Sequence, residues 1–111
     1  MFVLVNQKFA IMQALGCRAA VIACNTATAI CINKLRQIYS FPIIGIQPAV
    51  KQAYLHGKKY TVWATNATAN SPSFKALFSK YFIAGSKVVA FPDLAKKIEQ
   101  NIFNLHLYMK L

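Results

Sequence analysis

Two rhythms of apolar residues alternate along this chain. Short runs of valine, isoleucine and alanine give way to stretches in which apolar residues recur every three or four positions. The first is the rhythm of strands and the second that of helices. Met1–Val5 is apolar throughout and reads as a short strand. Phe9, Met12 and Leu15 then step at helical spacing towards Gly16, a residue suited to close a helix. Ala19–Ala23 is small or β-branched at every position, the composition of a strand buried on both faces. From about Thr26 to Tyr39 the period changes, and Ala27, Cys31, Leu35 and Ile38 form the core-facing stripe of a helix.

Phe41-Pro42 breaks that helix and opens a second strand, Ile43–Ile46. Pro48 and Gly57 bracket a short helix, Ala49–His56. Tyr60–Ala64 is a third strand, followed by a turn over Thr65–Asn70. Ser71 then caps, and Pro72 starts, a helix with Phe74, Leu77, Phe78 and Tyr81 on one face. Lys87–Phe91 is a fourth strand. Beyond Pro92-Asp93 runs a long helix whose stripe is Leu94, Ile98, Ile102, Leu105 and Met109. Four alternations of strand and helix with short connections predict an α/β fold, a parallel sheet of right-handed βαβ units.

Composition narrows the function classes. An apolar content of 57% argues against disorder, and 111 residues suffice for one small core. The formal charge is +11, from 13 lysines and arginines against Asp93 and Glu99 alone. The basic residues are scattered, with no arginine-rich run and no interleaved aromatics, so a solvated lysine-rich surface is expected. Nucleic acid should bind only weakly, non-specifically and in a salt-sensitive way. Cys17, Cys24 and Cys31 give neither a disulfide framework nor a zinc pattern, so no metal is expected. Free thiols point to the reducing cytoplasm, and no uncharged apolar run is long enough to span a membrane.

Candidate chemistry gathers where the first strand of this alternation gives way to its helix. Cys24 follows the strand directly, and Asn25 and Thr26 are good N-cap residues. Ligands of parallel α/β sheets collect at the carboxyl ends of strands. A helix N-terminus attracts anions and stabilises a thiolate. Cys24 can therefore be a nucleophile or base, or a structural cysteine of the kind most proteins bury. Thr65 and Thr68 stand at a comparable strand end, as ligand contacts or as N-cap and turn formers.

Cys24-Asn25-Thr26-Ala27-Thr28-Ala29 resembles the first active-site motif of the glutamate racemases, in the aspartate/glutamate racemase superfamily. Gly16-Cys17-Arg18, Pro42–Ile46 with Pro48–Lys51, and Ala64–Thr68 are similar to further segments of that family, and the likeness runs from about Gln7 to Gln100. The resemblance implies cofactor-independent interconversion of L- and D-glutamate, supplying D-glutamate for peptidoglycan, cell-wall biogenesis and cell shape. It assigns Cys24 as catalytic and Asn25 and Thr26 as glutamate-binding. It also implies two α/β lobes across a cleft, with residues 1–47 part of the first and 48–111 part of the second.

The departures carry weight too. The family's Asp-Ser turn and Pro-Tyr-Gly segment have no counterpart before Cys24, nor has its Cys-Thr-His segment, with the second catalytic cysteine, a counterpart after it. Residues 101–111 are divergent. The expectation is a partial racemase-like fold, a fragment truncated at both ends, inactive or impaired alone and prone to self-association. An aspartate-type racemase and a non-catalytic basic α/β module are the alternatives.

Overall fold

The computed structural model describes residues 1–108, and the side chains of residues 1–102. Ten elements follow one another: α1 (Phe2–Ala14), β1 (Ala20–Ile22), α2 (Asn25–Ile38), β2 (Ile43–Gly45), α3 (Val50–Leu55), β3 (Thr61–Ala64), α4 (Asn66–Asn70), α5 (Pro72–Lys80), β4 (Lys87–Ala90) and α6 (Leu94–Tyr108). Met1–Val5 is therefore no strand. Phe2, Val5, Phe9 and Met12 recur at three- and four-residue spacing and pack on one core, a helical stripe that begins seven residues earlier than Phe9 alone suggests. Gly16 closes α1 in a Schellman motif at φ +76°, with Cys17 N–H donating to Met12 O and Gly16 N–H to Gln13 O.

The strands pair in parallel, but as two sheets rather than one. β1 pairs with β2 from Ala20↔Ile43 to Ile22↔Gly45, and β3 pairs with β4 from Thr61↔Lys87 to Ala64↔Ala90. Each pair with its intervening helices makes one βαβ unit. The first core joins Phe9, Ala20, Ile22, Cys31, Ile32, Leu35, Tyr39 and Ile43; the second is built on Val50, Val62 and Phe74. Thr28, Cys31, Ile32 and Leu35 are the buried residues of α2. Tyr39 is buried beyond its end while Ile38 is exposed, so the inward face is rotated by about one residue from the expected one.

The first sheet is covered on one face only, and the second is partly open on the face that carries Trp63. Val21 is 62% exposed, Ile44 59% and Trp63 67%, which corrects the expectation of strands buried on both faces. Alternation decides it: Ala20 and Ile22 point to α2, and Val21 points away from it. The α6 stripe is also only partly used, because Leu94 is half-buried while Ile98 and Ile102 are exposed. The side chain of Leu105, and Met109 altogether, lie outside the described residues. Thr65–Asn70, expected as a turn, holds the five-residue helix α4, because Thr65 Oγ1 accepts the Thr68 N–H and caps it.

Candidate active site

Cys24 ends the connection out of β1 in an extended conformation and is the N-cap of α2, its Sγ accepting the Ala27 N–H at 3.5 Å. Its side chain is exposed. Asn25 and Thr26 form the first turn of α2. Two residues on, buried Thr28 secures the start of this helix: its hydroxyl donates to Ile22 O at 3.4 Å and accepts the Ile46 N–H at 3.2 Å. One threonine thus ties the carboxyl ends of β1 and β2 to α2. Gly45 lets them approach, since a Cβ there would run into the Thr28 methyl and would stand 2.7 Å from Ile32 Cδ1.

The second unit brings a matching strand end. Thr65 follows β3 and caps α4, and Thr68 is buried within that helix. The Thr26 hydroxyl lies 2.9 Å from Thr65 Oγ1 and 2.9 Å from Thr68 Oγ1, while Thr65 donates to Thr68 at 3.1 Å. Three hydroxyls from two βαβ units close a triangle. Ser73 Oγ adds a second link, donating to Ala29 O at 3.3 Å. The structure thus brings Thr26 together with Thr65, the cap of α4, and with Thr68. The partner of Thr26 was not visible in the sequence, because the three hydroxyls meet across 39 and 42 residues of chain.

Beside the triangle is a cleft of about 230 Å³ lined by Asn25, Thr26, Pro48, Trp63, Ala64, Thr65, Thr68 and the first turns of α6. Trp63, which carries no local motif in the sequence, stands exposed on the cleft wall against Phe91, ring centroids 5.4 Å apart. Cys24 lines neither this cleft nor the larger one on the other side of Asn25. The other thiols are elsewhere. Cys17 is exposed ahead of the amino end of β1, and Cys31 is completely buried in the first core, where burial pushes its thiol up from the ordinary value. Among the described residues no group of three or more His, Cys, Asp or Glu is arranged to hold a metal, and no helix is long and apolar enough to cross a membrane.

The family model described as Asp/Glu/hydantoin racemase matches residues 4–106. The chain belongs to this family. A glutamate racemase of Lachnospira eligens is 43% identical over 94 residues, which cover 80% of this chain and 36% of that protein. One of Clostridium botulinum is 39% identical over 101 residues, 86% of this chain and 39% of that protein. The crystal structure of glutamate racemase from Campylobacter jejuni subsp. jejuni superposes with a TM-score of 0.74 at 26% identity, over 92% of this chain and 43% of that one. The racemase-like α/β fold is thereby established. The chain spans well under half the length of each of these relatives.

Proposed function

We propose that this chain carries one face of the reacting centre of a glutamate racemase. The observation that carries the reading is the junction of the Cys24-Asn25-Thr26 helix start with Thr65 and Thr68 of the second unit, beside a cleft of amino-acid size. Racemisation without a cofactor removes the α-proton from one face of the amino acid and returns a proton to the other. In this reading the Cys24 thiolate takes the α-proton and becomes a thiol, leaving a planar carbanion. Asn25 and the N–H groups opening α2 hold the substrate carboxylate, because a helix N-terminus favours negative charge. Thr26, Thr65 and Thr68 offer hydroxyls to the polar groups of the same substrate.

Inversion needs a second acid on the opposite face. Neither buried Cys31 nor Cys17, ahead of the far end of β1, supplies it to Cys24. In this reading the chain by itself works on one enantiomer, which the family resemblance implies is D-glutamate, returning the proton to the face it left. Residues 1–47 and 48–111 correspond to parts of the two lobes, and the physiological role is supply of D-glutamate for peptidoglycan in the cytoplasm.

The test is binding. Titration of the chain with D-glutamate, L-glutamate and aspartate, followed by amide NMR, should shift Asn25, Thr26, Thr65 and Thr68 with glutamate at lower concentration than with aspartate. Thr26→Val should weaken binding about tenfold while leaving the fold intact. Stronger binding of aspartate would move the assignment to an aspartate-type racemase. Steeply salt-dependent binding of DNA with no amino-acid response would favour the basic binding module.

A further inference from the structure

The larger cleft shares Asn25 and Thr68 with the first but opens on the other side of them. It measures about 330 Å³ and lies between α2 and α5, floored by Gly45 at the end of β2 and residues 46–48 after it. Its polar lining includes Arg36, Asn33, Gln47 and Asn25, and neither of the two acidic residues of the chain is among the lining residues. Ile32 and Leu77 give it an apolar wall. The volume is within the usual range of small-molecule sites, roughly 300–1,000 Å³, and the mixture of a broad apolar surface with a few polar groups is also usual for them.

Arg36 is held ready. One guanidinium N–H donates to Ile43 O at 2.8 Å, which fixes the side chain across the carboxyl-end side of α2. A guanidinium carries five N–H donors in a planar fork, so this bond leaves donors over for an oxyanion. The surrounding lysine-rich surface raises the local concentration of anions around a chain of charge +11.

We propose that this cleft is a second ligand site, adjoining the amino-acid site across Asn25 and Thr68, that takes a small organic anion. Its carboxylate or phosphate pairs with Arg36 and the Asn33 and Gln47 amides, and its apolar body lies on Ile32 and Leu77. The assignment rests on the cleft and not on the racemase reading, and it stands whether or not the chain binds glutamate.

Phenyl phosphate and benzoate are the probes, with inorganic phosphate and benzyl alcohol as controls that lack one half of the ligand. The chain is titrated and followed by amide NMR, including the side-chain amides of Asn33 and Gln47, which line this cleft and not the other. Both aromatic anions should shift these amides, and each control should bind at least fivefold more weakly. The tighter of the two anions identifies the head group as phosphate or carboxylate. Arg36→Gln should weaken binding at least tenfold. Because that change also removes the bond to Ile43, Asn33→Asp is the second variant: it leaves Arg36 untouched, places a negative charge in the cleft and should weaken binding at least fivefold. Shifts spread over the surface lysines, or unchanged affinity in Asn33→Asp, would overturn the proposal.

Discussion

Gly45 and Cys31 show how tightly single residues are constrained around the start of α2. A methyl group at Gly45 meets both the Thr28 methyl and Ile32 Cδ1, so Gly45→Ala must push α2 off β2 or force a side chain off its rotamer. Overpacking of this kind costs about 1–3 kcal/mol, and chemical denaturation should find a loss in that range. A fully stable Gly45→Ala would mean that α2 is free to shift. Cys31 predicts a pH dependence. Burial raises its thiol above the ordinary 9.0, so the unfolded chain gives up this proton at a lower pH than the folded one does. The stability it lends is fully present below about pH 9 and is lost as pH climbs through the folded value. Thermal melts should therefore show stability falling above pH 9, with a shallower fall in Cys31→Ala. Burial raises the Tyr60 phenol as well, from 10.0, and adds a further fall at higher pH that Cys31→Ala leaves in place. Alkylating reagents at neutral pH should label exposed Cys17 and Cys24 and reach Cys31 only after unfolding. Early labelling of Cys31 would contradict the packing of the first core.

Between elements, the Thr26–Thr65–Thr68 triangle and the Ser73 bond to Ala29 O couple the first βαβ unit to the second. A double-mutant cycle of Thr26→Val and Thr68→Val should give a coupling of about 0.5–1.5 kcal/mol, the usual net worth of one hydrogen bond. Additive effects would mean the hydroxyls only happen to be close. Thr65→Ala removes the α4 cap and should cost about 1 kcal/mol on its own. These elements differ in how far the sequence disclosed them. The period change after Cys24 marked β1 and α2, and the Ser71-Pro72 pair marked the start of α5, because local signals govern both. Met1–Val5 misled because a five-residue apolar run has no readable period until Phe9 and Met12 are joined to it. The Cys24-Asn25-Thr26 half of the candidate site was legible as a strand end opening a helix. Its junction with Thr65 and Thr68 was not, since it depends on how two units dock and leaves no mark at a local spacing.

On the scale of the whole molecule, the first sheet leaves one face bare at Val21 and Ile44, and the second leaves Trp63 exposed on a face only partly covered. Parallel sheets are almost always covered on both faces, and bare apolar faces associate. The charge of +11 works against association of identical copies, and salt screens that repulsion. Sedimentation at micromolar concentration should therefore find more self-association at high salt than at low salt. A monomer at every ionic strength would show that those faces do not drive association. The relatives that share this fold are more than twice as long as the stretch of them matched here, and the proposed activity is correspondingly one face of theirs. Proton exchange without inversion tests that claim most directly. The chain is incubated with D-glutamate in heavy water, and the α-position is followed by NMR while chiral chromatography follows the enantiomer. The account predicts deuterium entering D-glutamate with no L-glutamate formed, and no exchange in Cys24→Ala. Exchange that survives Cys24→Ala, the absence of any exchange in the parent chain, or interconversion of the enantiomers at ordinary enzyme rates would contradict it.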